Sequence, residues 1–174
     1  MLNINNWPGL IEKIESSGYQ INQVNNMLVG VRKSDNVTGV IVDNEIETII
    51  NNFTVQDSAA FVSQKIEALA TEKRNFVIAP FSAGEMSSWP IKRAEAILYN
   101  QTLNSSDAPY LSNEAAVRGV TLSTLVSKVI ADATRFSNIE AAIAGTSGRH
   151  RDTVKSFTTF EQVMDYDYST GWPV

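Results

Sequence analysis

The sequence contains no cysteine and only one histidine, His150. Without cysteine the chain cannot form disulfides, zinc–thiolate sites or iron–sulfur clusters, and it has no thiol nucleophile. A single histidine cannot assemble a multi-histidine metal site, and no other motif supplies an evident general base. The composition therefore predicts a protein that is not an enzyme and that needs no cofactor.

Long apolar runs and an excess of basic residues are also missing. No stretch approaches the roughly 20 apolar residues that span a bilayer, and the first residues lack the basic start and apolar core of a signal peptide. The formal net charge is −5, whereas a nucleic-acid-binding surface needs a basic field. The one basic cluster, Arg149 to Lys155, is diluted by Asp152. We expect no membrane and no nucleic-acid partner.

The hydropathy pattern changes once along the chain. Residues 1–18 predict a short helix, followed by strand-like runs at Tyr19–Val24, Met27–Lys33 and Val37–Asp43, with turns at Asn25-Asn26 and Ser34–Asn36. From Asn44 onward the period is that of a helix. Ser88, with Pro90 in the first turn, predicts the start of a third helix, and Thr158 with Glu161 predicts a capping box for a last short helix. The predicted fold class is mainly α with a small N-terminal antiparallel β module (α+β). The predicted segments are 1–43, a helical segment 44–104, and a C-terminal helical segment 110–174 joined through a polar connector.

The longest pattern is a heptad seam, a series of positions that alternate in steps of four and three from Thr121 to Phe157. The seam is apolar at eight of its eleven positions and must therefore be buried against something. Glu140, Ser147 and His150 are its polar members. Gly145 and Gly148 interrupt it and predict a kink or break, because two glycines in an exposed helix cost roughly 2 kcal/mol relative to alanine. The seam consists of Leu122, Val126, Val129, Ala133, Phe136, Glu140, Ile143, Ser147, His150, Val154 and Phe157.

Short matches to catalytic motifs fail on their required partners. His150-Arg151-Asp152 spells the kinase catalytic-loop triplet, but Phe157 stands where the magnesium-binding asparagine is needed. Asp165, Asp167 and Ser169 have the opening spacing of a calcium loop, yet no glutamate follows to close it. His150 is therefore interpreted as a core or interface histidine. A small hydrolase that uses the Arg149–Asp152 cluster is kept as an alternative of another class.

Several stretches resemble small tail proteins of tailed bacteriophages, of the tail-fibre assembly (fibre chaperone) type. Residues 42–53 resemble the acidic and apolar opening of their first helix, which leads here to Glu72-Lys-Arg74. Ser88-Trp-Pro-Ile-Lys-Arg-Ala-Glu-Ala96 is similar to their WPxKxxEA segment. Residues 111–126 are similar to the pattern L…AAxRGxTxxELV, and Gly171-Trp-Pro173 resembles their ending. The resemblance covers roughly residues 40–174.

The resemblance implies a non-enzymatic chaperone. Such a protein would bind a tail-fibre polypeptide and assist its folding and trimerisation in the host cytoplasm, with retention in the virion tail as a variant. The alternative is a structural tail or baseplate component that self-associates, as a dimer or trimer, through its long helix. The partner-binding candidates lie in the second half of the seam and in the aromatic tail, where Trp and Tyr are favoured interface anchors. They are His150, Val154, Phe157, Tyr166, Tyr168 and Trp172.

Overall fold

The computed structural model describes residues 7–24, 27–32, 37–38 and 44–173. Helices make up most of this part of the chain, and a short 3-10 turn at Ser105–Asp107 lies between two of them. The turns predicted at Asn25-Asn26 and Ser34–Asn36 and the end of the third predicted strand, 39–43, lie outside the described residues. The α-helices are α1 (Leu10–Ser16), α2 (Asn44–Asn52), α3 (Val55–Ile78), α4 (Ala83–Thr102), α5 (Pro109–Arg118), α6 (Leu122–Lys155) and α7 (Phe160–Met164).

The predicted α+β fold class is wrong, because the molecule is mainly helical. The backbone pairs antiparallel in three short segments, β1 (Tyr19–Val24), β2 (Met27–Arg32) and β3 (Val37–Thr38). Among the side chains that the structure describes, Tyr19 is the only strand residue in the apolar cluster near the N-terminus. Helical residues build the rest of that cluster, together with Trp7 and with Phe53, which follows α2.

Contacts divide the chain into two units, each with its own apolar cluster. The N-terminal unit contains Met1–Leu69 and Thr146–Gly171, and the central unit contains Ala70–Gly145 and Trp172–Val174. These units interleave along the sequence. The three consecutive segments expected from the sequence, 1–43, 44–104 and 110–174, remain a prediction.

The core of the N-terminal unit is built on α1 and α2. Leu10 and Ile14 are fully buried, since they occupy the same face of α1 one turn apart. The rings of Trp7 and Phe160 stack on one another at 3.9 Å between centroids. Gly9 precedes α1 with φ 85°, and a Cβ there would lie 2.7 Å from the Cβ of Phe61. Only glycine fits both this backbone angle and this approach.

The core of the central unit lies where α4, α5 and the first turns of α6 meet. Leu111 is fully buried and packs in one cluster with Ala96 and Val126. The start of α5 is held by an unusual cap. Its N-cap residue Ala108 makes no side-chain hydrogen bond. The buried carboxylate of Glu95, on α4, instead accepts hydrogen bonds from the backbone N–H groups of Tyr110 and Leu111, at 3.2 and 3.0 Å.

Two helices differ from the sequence-based prediction. Ser88 was expected to cap the third long helix, with Pro90 in its first turn, but α4 begins at Ala83 and carries Pro90 inside it. The Ser82 hydroxyl caps this helix by accepting a hydrogen bond from the N–H of Glu85. At the last helix a capping box was expected from Thr158 and Glu161. The structure forms it one residue later, from Thr159 and Gln162.

The expected break at Gly145–Gly148 is absent, and α6 runs unbroken over 34 residues. Replacing Gly145 by Ala is expected to raise the free energy of unfolding by about 1 kcal/mol, because alanine has the higher helix propensity. The added Cβ would meet nothing within 4 Å, and the same holds at Gly148. Urea denaturation of each variant measures the change.

The control for this prediction is Gly171→Ala. Gly171 has φ 74°, a left-handed conformation that penalises alanine, so this variant should unfold at a lower urea concentration than the wild type. If Gly145→Ala and Gly148→Ala also lower the urea midpoint, the prediction is wrong. Glycine would then be required at these positions for a reason other than the conformation of the helix.

Candidate functional site

The second half of the heptad seam holds the C-terminal tail, and both groups belong to the N-terminal unit. His150 is only 3% exposed. Its Nδ1 lies 2.6 Å from the hydroxyl of Tyr166, and its Nε2 lies 3.0 Å from the carbonyl oxygen of Thr170. A carbonyl can only accept, so Nε2 carries the proton that is donated to Thr170. In the neutral ring, Nδ1 then accepts from Tyr166.

Further contacts secure the same tail segment. The Thr146 hydroxyl donates to the carbonyl of Gly171 at 3.2 Å. The ring of Tyr166 packs edge-on against Phe157 at 5.3 Å between centroids. The hydroxyl and N–H of Ser169 donate to Asp167 and lower the pKa of that carboxyl. We call this arrangement the tail clasp, comprising Thr146, His150, Phe157 and residues 166–171.

The tail clasp is unsuited to acid–base or nucleophilic catalysis. Both ring nitrogens of His150 have hydrogen-bond partners within the chain. Ser147 is buried, but its hydroxyl donates to the carboxylate of Glu67 at 3.1 Å rather than to the imidazole. A nucleophilic serine needs a base within hydrogen-bond reach. Among the described residues, no group of three acidic or histidine side chains could hold a metal ion.

The six predicted partner-binding residues have different surroundings. His150 and Val154 are buried, and the ring of Tyr166 contacts the rings of His150 and Phe157. Tyr168 is half-buried. Trp172 is also half-buried and belongs to the central unit. Partner binding by these residues remains a prediction. In the structure, His150, Phe157, Tyr166 and Tyr168 belong to the tail clasp.

Sequence reasoning missed an open groove in the central unit. The groove lies among α4, α5 and α6 and encloses about 440 Å³. We call it the central groove. Its apolar wall is half-buried and consists of Phe81, Met86, Trp89, Val129, Ala133 and Phe136, and Leu125 lies at one end. A signal was present in the sequence, since the seam residues 125–136 and Trp89 all required burial.

Three aromatic rings form one end of the central groove. Phe81 lies edge-on to Trp89 at 5.1 Å and to Phe136 at 5.5 Å, and Trp89 stacks against Phe136 at 4.9 Å. Trp89 and Phe136 also line a second cavity of about 310 Å³. The rings therefore have open space on two sides, which is unusual for close-packed protein interiors.

Charged side chains line the other end of the central groove. Glu114 is held between two cations, at 2.8 Å from Lys92 Nζ and 2.9 Å from Arg118 Nη1. Burial opposes the charged form of Glu114, but the hydrogen bonds from these two cations outweigh it and lower the pKa of Glu114. Lys128 pairs with Asp132 at 2.9 Å. Arg93 also lines the groove, one helical turn beyond Trp89 on α4, and is exposed.

Comparison of the chain with protein families, curated proteins and solved structures finds no match. Within the described residues no helix is long and apolar enough to cross a membrane. The functional interpretation therefore depends on the chemistry of the central groove and the tail clasp. Of these two, only the central groove leaves a large apolar surface open to a partner.

Proposed function

We propose that the protein is a non-enzymatic chaperone for a bacteriophage tail fibre, and that it holds an apolar segment of the fibre in the central groove during assembly in the host cytoplasm. The observation that supports this function is the groove itself. It combines clustered aromatic side chains with an open cavity of about 440 Å³. Concave apolar sites with a few charged groups are typical of binding sites.

The groove also brings together the two stretches that resemble tail-fibre assembly proteins. Trp89, Pro90, Lys92 and Arg93 line it from the first stretch, 88–96. Glu114, Arg118 and Leu125 line it from the second, 111–126. These stretches are separated in sequence, yet their side chains share one surface. This convergence favours binding over a purely internal role for the motifs.

Self-association along the heptad seam is the alternative. It requires the seam to be open, but Val126, Ile143, Ser147, His150 and Val154 are all buried within the chain. These five positions therefore already have partners within the chain, and the half-buried positions Val129, Ala133 and Phe136 line the central groove. We expect the purified protein to be a monomer at micromolar concentration, and light scattering measures this directly. A stable dimer or trimer would favour a structural tail component.

The proposed function is tested by blocking the central groove. Ala133→Arg places a long charged side chain on a half-buried position of its wall. Co-expression with the long fibre polypeptide from the neighbouring reading frame should then give about tenfold less soluble trimeric fibre than the wild type. Ala144→Arg is the matched control, because Ala144 is an exposed position on the same helix.

Two outcomes contradict the proposal in different ways. If the wild-type protein leaves fibre solubility and trimerisation unchanged, the chaperone function is wrong. If Ala133→Arg supports the fibre as well as Ala144→Arg does, the protein acts through another surface.

A further inference from the structure

The two ends of the central groove differ in chemistry. α4 and α6 run antiparallel along it, because Trp89 stacks on Phe136 while Ala96, further along α4, packs with Leu125 and Val126. The aromatic rings therefore lie at the Phe136 end. The other end lies beside Leu125, where α5 also contributes. From Leu125 to Phe136 the groove extends about 16 Å along α6, at 1.5 Å per residue.

The lining of the central groove contains one more basic side chain than acidic side chains. Its basic side chains are Lys92, Arg93, Arg118 and Lys128, and its acidic side chains are Glu85, Glu114 and Asp132. Among the described residues, the ion pairs of Glu114 and Asp132 involve the other three cations and leave Arg93 without a carboxylate partner. The guanidinium of Arg93 is thus available for a carboxylate from outside.

From the aromatic rings and this available guanidinium we infer that the central groove binds a helical segment of a partner polypeptide in which large apolar side chains are followed, about one turn later, by acidic side chains. The apolar side chains lie against Trp89 and Phe136, and the carboxylates meet Arg93, which lies one turn beyond Trp89 on α4. A helix laid in an apolar groove is a common mode of peptide recognition. A length of about 16 Å accommodates roughly three helical turns. The inference rests on the proposed function and specifies the fibre segment that the groove selects.

Fluorescein-labelled helical peptides test the inference on the intact protein by fluorescence anisotropy. One peptide carries Phe and Leu one turn apart, with two Glu about one turn further on, and its twin has Lys at the two Glu positions. We expect the Glu peptide to bind about tenfold more tightly at low salt, and this preference to shrink as salt is added. Arg93→Glu should abolish the preference. Lys155→Glu makes the same charge change at an exposed position of the N-terminal unit and should retain it.

Three results would overturn the inference. The first is that the Lys peptide binds as tightly as the Glu peptide, and the second is that Arg93→Glu keeps the preference. The third is that dodecanoate displaces the peptide and binds more tightly, which would make the groove a site for amphipathic lipids. Circular dichroism of Arg93→Glu checks that the variant is folded. The chaperone function is tested independently of this inference, because the fibre yield on co-expression is measured without any peptide. A groove that prefers the Glu peptide but does not improve fibre yield would leave the inference standing and overturn the chaperone function.

Discussion

Replacing Glu95 by Ala is expected to lower the free energy of unfolding of the central unit by about 3 kcal/mol. The Glu95 side chain is only 9% exposed, and its two oxygens accept the N–H groups of Tyr110 and Leu111. α5 has no side-chain cap of its own. The substitution leaves buried N–H groups at the start of a helix without an acceptor and removes a negative charge from its N-terminus.

Chemical denaturation of Glu95→Ala, Glu95→Gln and Asn100→Ala measures this effect. Glu95→Gln keeps one oxygen acceptor in nearly the same volume, so the free energy of unfolding of this variant should fall by only about 1 kcal/mol. Asn100 is an exposed residue on the same helix, and its substitution should change stability by less than about 0.5 kcal/mol. If Glu95→Ala unfolds at the same midpoint as Asn100→Ala, the carboxylate does not hold α5.

Replacing His150 by Ala is expected to destabilise the N-terminal unit by about 3 kcal/mol and to release the tail clasp. This loss of stability has two causes. The substitution leaves a cavity at a buried position, and it removes two hydrogen bonds, because Tyr166 and Thr170 each lose their imidazole partner. Backbone amides of 166–171 should then exchange with deuterium at rates close to those of an unstructured peptide.

Tyr166→Phe separates the two parts of this effect. It removes the hydroxyl that contacts Nδ1 but keeps the ring against Phe157, so we expect a loss of about 1 kcal/mol and a clasp that stays closed. Lys155→Ala is the control at an exposed position of the same helix. Unchanged exchange of 166–171 in His150→Ala would show that other contacts secure the tail.

The sequence predicts the helices wherever local chemistry determines them. Asn44 was expected to open a helix, and α2 begins there. The misplaced start of α4 came from treating Pro90 as a first-turn residue, although Ser82 with Glu85 three residues later is itself a capping signature. At the N-terminus, alternation of side chains indicated a β module. That predicted fold class is wrong, because the molecule is mainly helical.

The sites were harder to predict because their parts are far apart in sequence. Ser147 and Glu67 are separated by 80 residues, and no local pattern pairs them. The central groove was missed for the same reason, since its two walls come from separately interpreted motifs. The heptad seam indicated only that residues 122–157 needed burial. It did not reveal that Val129, Ala133 and Phe136 would remain half-buried and open to a cavity.

Site-specific photo-crosslinking to the co-expressed fibre tests the central groove most directly. A photoreactive phenylalanine analogue is placed at Val129, in the groove wall, and in separate variants at Phe157 and Tyr168, two of the binding residues predicted from the sequence. We expect crosslinks to the fibre from position 129 and few from the other two positions. Strong crosslinking from 157 and 168 with none from 129 would contradict the account and place the partner on the seam and the tail.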